Sequence, residues 1–248
     1  MSNTERDVCE FLPWDSEFFG VRIARVREHR LTTHTVQHII DWCAQAQINC
    51  LYFLANPDDP DTVMLAQEHQ FQLVDMRVTL GLSQIDRAQP SAPPSAHIRS
   101  ATTADVEALK AIARVSHLDS RFFFDSHFDH ERSATLYAVW IEKSCQDYAD
   151  AVLVYDDGGD IAGYITCDLD TNNSGSIGLV GVAAAWQGKG IGSALVGASI
   201  DWLLKAGADH IRVVTQGRNV RAQRLYQRHG FVTETLQLWY HRWFTDPR

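Results

Sequence analysis

The chain has 248 residues, 45% of them apolar, five cysteines and a formal net charge of −9. That length and apolar content suffice for one large domain or two small ones with proper cores. The acidic balance argues against a nucleic-acid or anionic-membrane surface as the main partner, because clustered Lys and Arg dominate such interfaces.

The start, Met1 to Cys9, is polar and charged, so no signal peptide is expected, and no apolar run approaches the roughly 20 residues of a membrane span. Cysteines 9, 43, 50, 145 and 167 form no C-x-x-C pair and no even framework, and read as reduced thiols of a cytoplasmic protein. Asp86 to Ala96 is the only Pro/Ser/Ala-rich stretch. It is expected to be a linker over 86–96 between a domain at 1–85 and a domain at 97–248. The second domain reads as strand 97–100, helix 103–117, an aromatic loop, helix 131–146, and strands 151–156, 161–170 and 175–183. Helix 190–206, strand 210–215, helix 219–229 and strand 231–241 follow, which makes the class α/β.

The first domain has no motif of its own, yet it matches the second at an offset of 160. Val36, Ile40, Asp41, Trp42, Ala46, Leu65, Gln67, His69 and Phe71 recur as Val196, Ile200, Asp201, Trp202, Ala206, Leu225, Gln227, His229 and Phe231. The first domain therefore reads as a degraded copy of the carboxy-terminal half of the second.

From Val180 to Leu195 an apolar strand breaks into a glycine-rich turn and opens into a helix. Gly188, Gly190 and Gly192 leave no side chains between backbone N–H groups and an anion, and a helix's first turn adds roughly half a positive charge. The turn suits a pyrophosphate. Spacing excludes a P-loop, because Ala183 and Gly190 occupy the places of its first glycine and its Ser or Thr. A dinucleotide fingerprint needs an acid closing the next strand, where Thr215 and Gln216 stand instead.

Gln187-x-x-Gly190-x-Gly192 after a Val-rich strand resembles the acetyl-CoA signature of the GCN5-related N-acetyltransferases, the GNAT superfamily. Asn219-x-x-Ala222-x-x-Leu225-Tyr226-x-x-x-Gly230-Phe231 resembles that superfamily's later motif, in the family's order and at about its spacing. The resemblance implies a GNAT fold, a mixed, splayed central sheet flanked by helices, preceded by a truncated GNAT-like domain. It implies acetyl-CoA as co-substrate and direct attack by an amine in a ternary complex. It places Val180 and Val182 on the pantetheine arm, the pyrophosphate on Gln187, Gly188, Lys189, Gly190, Gly192 and Ser193, and Asn219 as a helix cap touching the cofactor. Tyr226 would stand beside the sulfur as general acid, with a phenol pKa near that of the departing thiolate. The splay is expected at Gly181.

At the same offset Gln187 faces Arg27, the loop glycines face Glu28, Arg30 and Thr32, and Tyr226 faces Ala66. The first domain is thus expected to bind no acetyl-CoA and to help shape the acceptor pocket. No general base stands out: the strand before the turn carries Ile177, Gly178 and Leu179, which leaves Asp168, Asp125, His127 or a water chain. No metal motif is present and no metal is expected.

Acceptor choice falls to the segment Ser116 to Glu131. There Arg121, Phe122 and Phe123 could hold a phosphate and stack a base or sugar, or could pack as core. Leu12 to Val21, Ser120-Arg121-Phe122, Tyr137-x-x-Trp140-Ile141 and Thr215 through Tyr226 are similar to the bacterial dTDP-fucosamine acetyltransferase family. That similarity implies a dTDP-linked 4-amino-4,6-dideoxyhexose as acceptor, in surface polysaccharide synthesis. Another amine (a protein amino terminus, an amino acid, a polyamine) or a non-catalytic acetyl-CoA-binding module remains open, as does a homodimer.

Overall fold

The computed structural model describes residues 8–83 and 96–244. The expected 86–96 linker, Ala96 apart, lies outside them. The chain runs β1 (Cys9–Phe11), α1 (Pro13–Phe19), β2 (Ile23–Val26), α2 (Thr33–Gln45), β3 (Cys50–Ala55), α3 (Pro60–Glu68) and β4 (Gln72–Leu82). It continues with β5 (Ile98–Ser100), α4 (Val106–Ser116), the single turn α5 (Arg121–Phe124), α6 (His130–Lys143), β6 (Ala151–Asp157), β7 (Asp160–Leu169) and β8 (Ser174–Val182). The last elements are α7 (Ile191–Lys205), β9 (His210–Gln216), α8 (Val220–Arg228) and β10 (Val232–Trp243).

Two compact units form, and they are not the two contiguous runs read from the linker. The first holds residues up to Arg77 together with 120–129 and the end of the chain from Leu236, and the second holds 78–119 and 130–235. The aromatic segment joins the first unit because Phe122 and Phe128 bury there against Phe19 and Tyr52. The carboxy-terminal strand joins it because Leu238–Trp243 pairs antiparallel with Ala55–Cys50. β4 and β10 each change unit along their length, after Arg77 and after Thr235.

In the first unit the strand order is β1-β2-β3-β10, with β2 and β3 parallel and the other pairs antiparallel. Its core gathers Val36, Ile39, Leu51, Phe53, Phe71 and Tyr240. In the second the order is β5-β6-β7-β8-β9-β4, antiparallel from β5 to β8 and parallel between β8 and β9. Leu80, Ile165, Ile177, Leu195, Val196, Ile211, Val213 and Phe231 form its core.

The offset of 160 reappears in the backbone. Moved by it, α3 starts and ends where α8 does, α2 ends with α7, and β3 and β4 start with β9 and β10. Hydrogen bonds repeat with them: Ala46 N–H to Trp42 O and Ala206 N–H to Trp202 O, Phe71 N–H to Ala66 O and Phe231 N–H to Tyr226 O. The left-handed turns recur with glutamine in place of glycine, since Gln47 (φ 53°) and Gln70 (φ 63°) stand where Gly207 (φ 103°) and Gly230 (φ 86°) do. A Cβ makes that conformation costly, by roughly 1–2 kcal/mol. Gln70→Gly should therefore raise stability by about 0.5–1 kcal/mol, the relief outweighing the added freedom of the unfolded chain. Gly230→Gln should lower it by about 1 kcal/mol or more. Urea unfolding of the two variants checks this, and a destabilised Gln70→Gly would contradict it.

Candidate functional site

In the second unit β8 and β9 pair in parallel from Ser174 opposite His210 to Ile177 opposite Val213, and no further. On its other side β8 slips register against β7: Ile165 pairs with Val180 and Cys167 with Ile177, so Gly178 and Leu179 face Thr166 alone. This is a β-bulge, which bends a strand and raises its twist. The Thr166 hydroxyl accepts the Leu179 N–H at 2.8 Å. A Cβ on Gly178 would lie 2.5 Å from that oxygen, so glycine is required for the close approach. The splay thus begins at Gly178, not at the expected Gly181. Gly181 has another duty, because a Cβ there would lie 2.5 Å from Cε1 of the Tyr164 ring.

Ala183 N–H donates to Ala162 O at 2.9 Å, toward β7. Strand alternation then turns the backbone groups of Val180 and Val182 the other way, to the side that β9 has left. Gln187 Nε2 donates to the Val182 carbonyl at 3.1 Å, and Gln187 Oε1 accepts from Arg221 at 2.8 Å, which ties the strand end to α8.

Beyond β8 the chain turns through Gly188 (φ 79°) and Gly190 (φ 83°), both left-handed. A Cβ at either would meet nothing within 4 Å, so glycine serves the backbone conformation there rather than close packing. α7 starts directly after Gly190 with no side-chain cap, and its first N–H to carbonyl bond is Ala194 to Gly190 at 3.0 Å. The N–H groups of Ile191, Gly192 and Ser193 precede that bond and crown the positive end of a 15-residue helix. Lys189 Nζ sits 4.4 Å above the Trp186 ring, and the Ser193 hydroxyl lies 2.8 Å from His229 Nε2.

Asn219 caps α8, its Oδ1 accepting from Ala222 N–H at 3.0 Å. Tyr226 on that helix is 4% exposed and packs edge-on to Phe231. Burial pushes its phenol above the ordinary value, so it stays protonated at neutral pH and lies further above the thiolate range than the sequence led one to expect. On the face of β7 that carries Tyr164, Thr166 and Asp168, burial and then repulsion from Asp150 raise the Asp168 carboxyl. Asp168 Oδ2 lies 3.4 Å from where a Gly178 Cβ would stand, beside the bulge. His117 Nε2 is 3.0 Å from the Tyr164 hydroxyl, its ring stacked on Tyr137, and burial holds it down to about 4. Sequence reading missed the His117–Tyr164 pair, because 47 positions separate residues that only the sheet brings together.

The acceptor candidates of the aromatic segment belong to the first unit and fare unequally. Phe122 is 2% exposed, walled by Phe19, Phe128 and Tyr52, and has no face left for stacking a ligand. Phe123 is half-buried beside it. Asp125 is not a base: it accepts from His241 Nδ1 (2.7 Å), Trp243 Nε1 (2.9 Å), His127 N–H (3.1 Å) and His127 Nδ1 (2.8 Å). Burial alone would raise its carboxyl, but these donors hold it well below the usual range. His127, bound to it and stacked on Trp243, is structural too. Arg121 lies over Tyr52, Phe122 and Trp239. No group of three His, Cys, Asp or Glu among the described residues could hold a metal ion, and no helix among them is long and apolar enough to cross a membrane.

Residues 112–231 match the model of the acetyltransferase (GNAT) family. The chain is 26% identical over 240 residues to the dTDP-fucosamine acetyltransferase of Escherichia coli O6:H1, covering 96% of this chain and 99% of that one. It is 28% identical over 151 residues to the spore coat polysaccharide biosynthesis protein SpsD of Bacillus subtilis, covering 61% of this chain and about half (52%) of that relative. Its fold resembles the crystal structure of a GCN5-related N-acetyltransferase from Sphaerobacter thermophilus, with TM-score 0.65 and 18% identity, over 95% of this chain and 76% of the other.

His117 gives a pH dependence whose sign is fixed. Its folded pKa of about 4 lies below the roughly 6.5 of an unfolded histidine. The unfolded chain therefore takes up a proton that the folded chain refuses as pH falls between those values. Stability conferred above about pH 6.5 should be lost progressively toward pH 4. Thermal unfolding from pH 7.5 downward should show a steeper loss for the parent protein than for His117→Gln, and equal slopes would contradict it.

Proposed function

Starting from a chain that belongs to the GNAT acetyltransferases, we propose that it transfers the acetyl group of acetyl-CoA to the 4-amino group of a dTDP-linked 4-amino-4,6-dideoxyhexose, for surface polysaccharide synthesis in the cytoplasm. The observation that carries the donor half is the ladder break at Gly178 leading straight into the uncapped helix after Gly190. The acceptor half rests on likeness to the dTDP-fucosamine acetyltransferase over nearly the full length of both chains.

In this reading the pantetheine arm pairs with Val180 and Val182 as an added strand. The pyrophosphate lies on the amides from Gly188 through Gly190 and Gly192 to Ser193, with Gln187 and Lys189 beside it. Asn219 holds the start of α8 against the cofactor. The neutral amine attacks the thioester carbon, a C–N bond forms, and negative charge moves to the carbonyl oxygen. As that intermediate collapses the C–S bond breaks, and the thiolate takes the proton of Tyr226. The proton released by the amine passes through water to Asp168, a carboxyl raised by burial and then by Asp150. The domain at 1–85 is, in the same reading, a degenerate partial copy that holds no acetyl-CoA. Its α2 closes its own first turn, Thr32 Oγ1 accepting from Thr35 N–H, where α7 leaves that turn open.

Tyr226→Phe should lower turnover by about 10- to 1000-fold while leaving acetyl-CoA affinity nearly unchanged. Steady-state kinetics with calorimetry separates the two, and lost affinity at unchanged turnover would remove the general-acid role. Mass spectrometry of reactions with dTDP- and UDP-linked amino sugars, amino acids and peptides tests the acceptor. A product one acetyl group heavier from the dTDP-4-amino sugar alone is expected. Acetylation of peptides or free amines alone would replace the acceptor, and cofactor binding without any transfer would leave a binding module.

A further inference from the structure

The first unit holds polar groups that acetyl transfer from the second does not use. Tyr52 and His241 stand opposite each other in the β3–β10 ladder, ring on ring at 4.7 Å. Above Tyr52 lies the Arg121 guanidinium, 4.9 Å from its ring centroid, 4.4 Å from that of Phe122 and 4.2 Å from that of Trp239. Three aromatic faces thus fix the plane of one cation and leave its N–H edge to act. Arg77 of β4 is a second cation in the same neighbourhood, its guanidinium discouraged first by burial and then by the charge of Arg121.

Neither arginine forms an ion pair among the described residues. Among the described residues, Arg77 Nε, Arg121 Nε and the hydroxyl of Tyr52, itself 2% exposed, are buried donors with no hydrogen-bond partner. The carboxylates nearby do not answer them. Asp125 is occupied by His241, Trp243 and His127. Asp15 senses the charge of Arg121 without contact, and burial dominates it and raises its pKa. His241, donating through Nδ1 to Asp125, keeps Nε2 as an unpartnered acceptor. Folded proteins seldom leave several donors and two like charges together unless something else supplies the acceptors.

We propose that Arg77, Arg121 and the Tyr52 hydroxyl form a seat within the first unit for the phosphoryl oxygens of a nucleoside diphosphate. A carboxylate would satisfy one guanidinium fork, whereas a diphosphate offers an anionic group to each of the two. The seat also gives the first unit a use that its missing glycine turn does not foreshadow.

The test is calorimetric titration of the full-length protein, kept saturated with CoA so that the glycine turn is occupied, with dTDP and separately with inorganic pyrophosphate. Both should bind. Arg77→Gln and the charge-keeping Arg121→Lys should each weaken dTDP by about 10- to 100-fold while CoA affinity stays unchanged. Arg77→Gln should also melt no lower than the parent protein without nucleotide, since it removes an uncompensated cation. Unchanged dTDP affinity in both variants, or no binding of either probe by the parent protein, would overturn the seat.

Discussion

Most of the chemistry this chain can do depends on one interruption of hydrogen bonding, the end of the β8–β9 ladder at Ile177 and Val213. Had the ladder continued, β9 would cover the edge that Val180 and Val182 now turn outward. The bulge opposite Thr166 brings the interruption about, and Gly178 permits the bulge because no side chain fits against the Thr166 hydroxyl. A few residues later the left-handed glycines aim the chain into α7 with its first N–H groups uncommitted. Gln187 then binds strand end, turn and α8 together through Val182 and Arg221, so the cradle and the helix bearing Tyr226 are set by one side chain.

The two halves repeat a backbone pattern with different residues. At one offset α3 and α8 share both ends, α2 and α7 share their last residue and closing bond, β3 and β9 share their start, and two glutamines hold turns that suit glycine better. What differs is local. Where one helix begins on a bare glycine, the other satisfies its own first turn with Thr32 and Thr35. An anion site at a helix terminus is lost by such a cap while every packing contact of the helix remains available.

Sequence order revealed the elements of the second unit and the turn, because hydrophobic period and glycine spacing are local signals. The start of the splay was not legible. Gly181 looked like the interruption, but the bulge depends on Thr166, a residue of the neighbouring strand whose register no local pattern carries. Phe122 and Phe123 looked alike in sequence, and only packing separates a buried Phe122 from a half-buried Phe123. The extent of the first unit was hidden too, since Leu238–Trp243 completes the sheet of β3 from the far end of the chain. Arg77 had no motif, and it became visible through a buried Nε that has no acceptor among the described residues.

The most direct test of the central claim is residue-resolved amide hydrogen exchange with and without acetyl-CoA. Added protection should concentrate on the N–H groups of Val180 and Val182 and on the first turn of α7 from Ile191 to Ser193, with little change over Arg27 to Thr35, the corresponding stretch of the first unit. Protection gained in that stretch, or none gained at Val180 and Val182, would contradict the account.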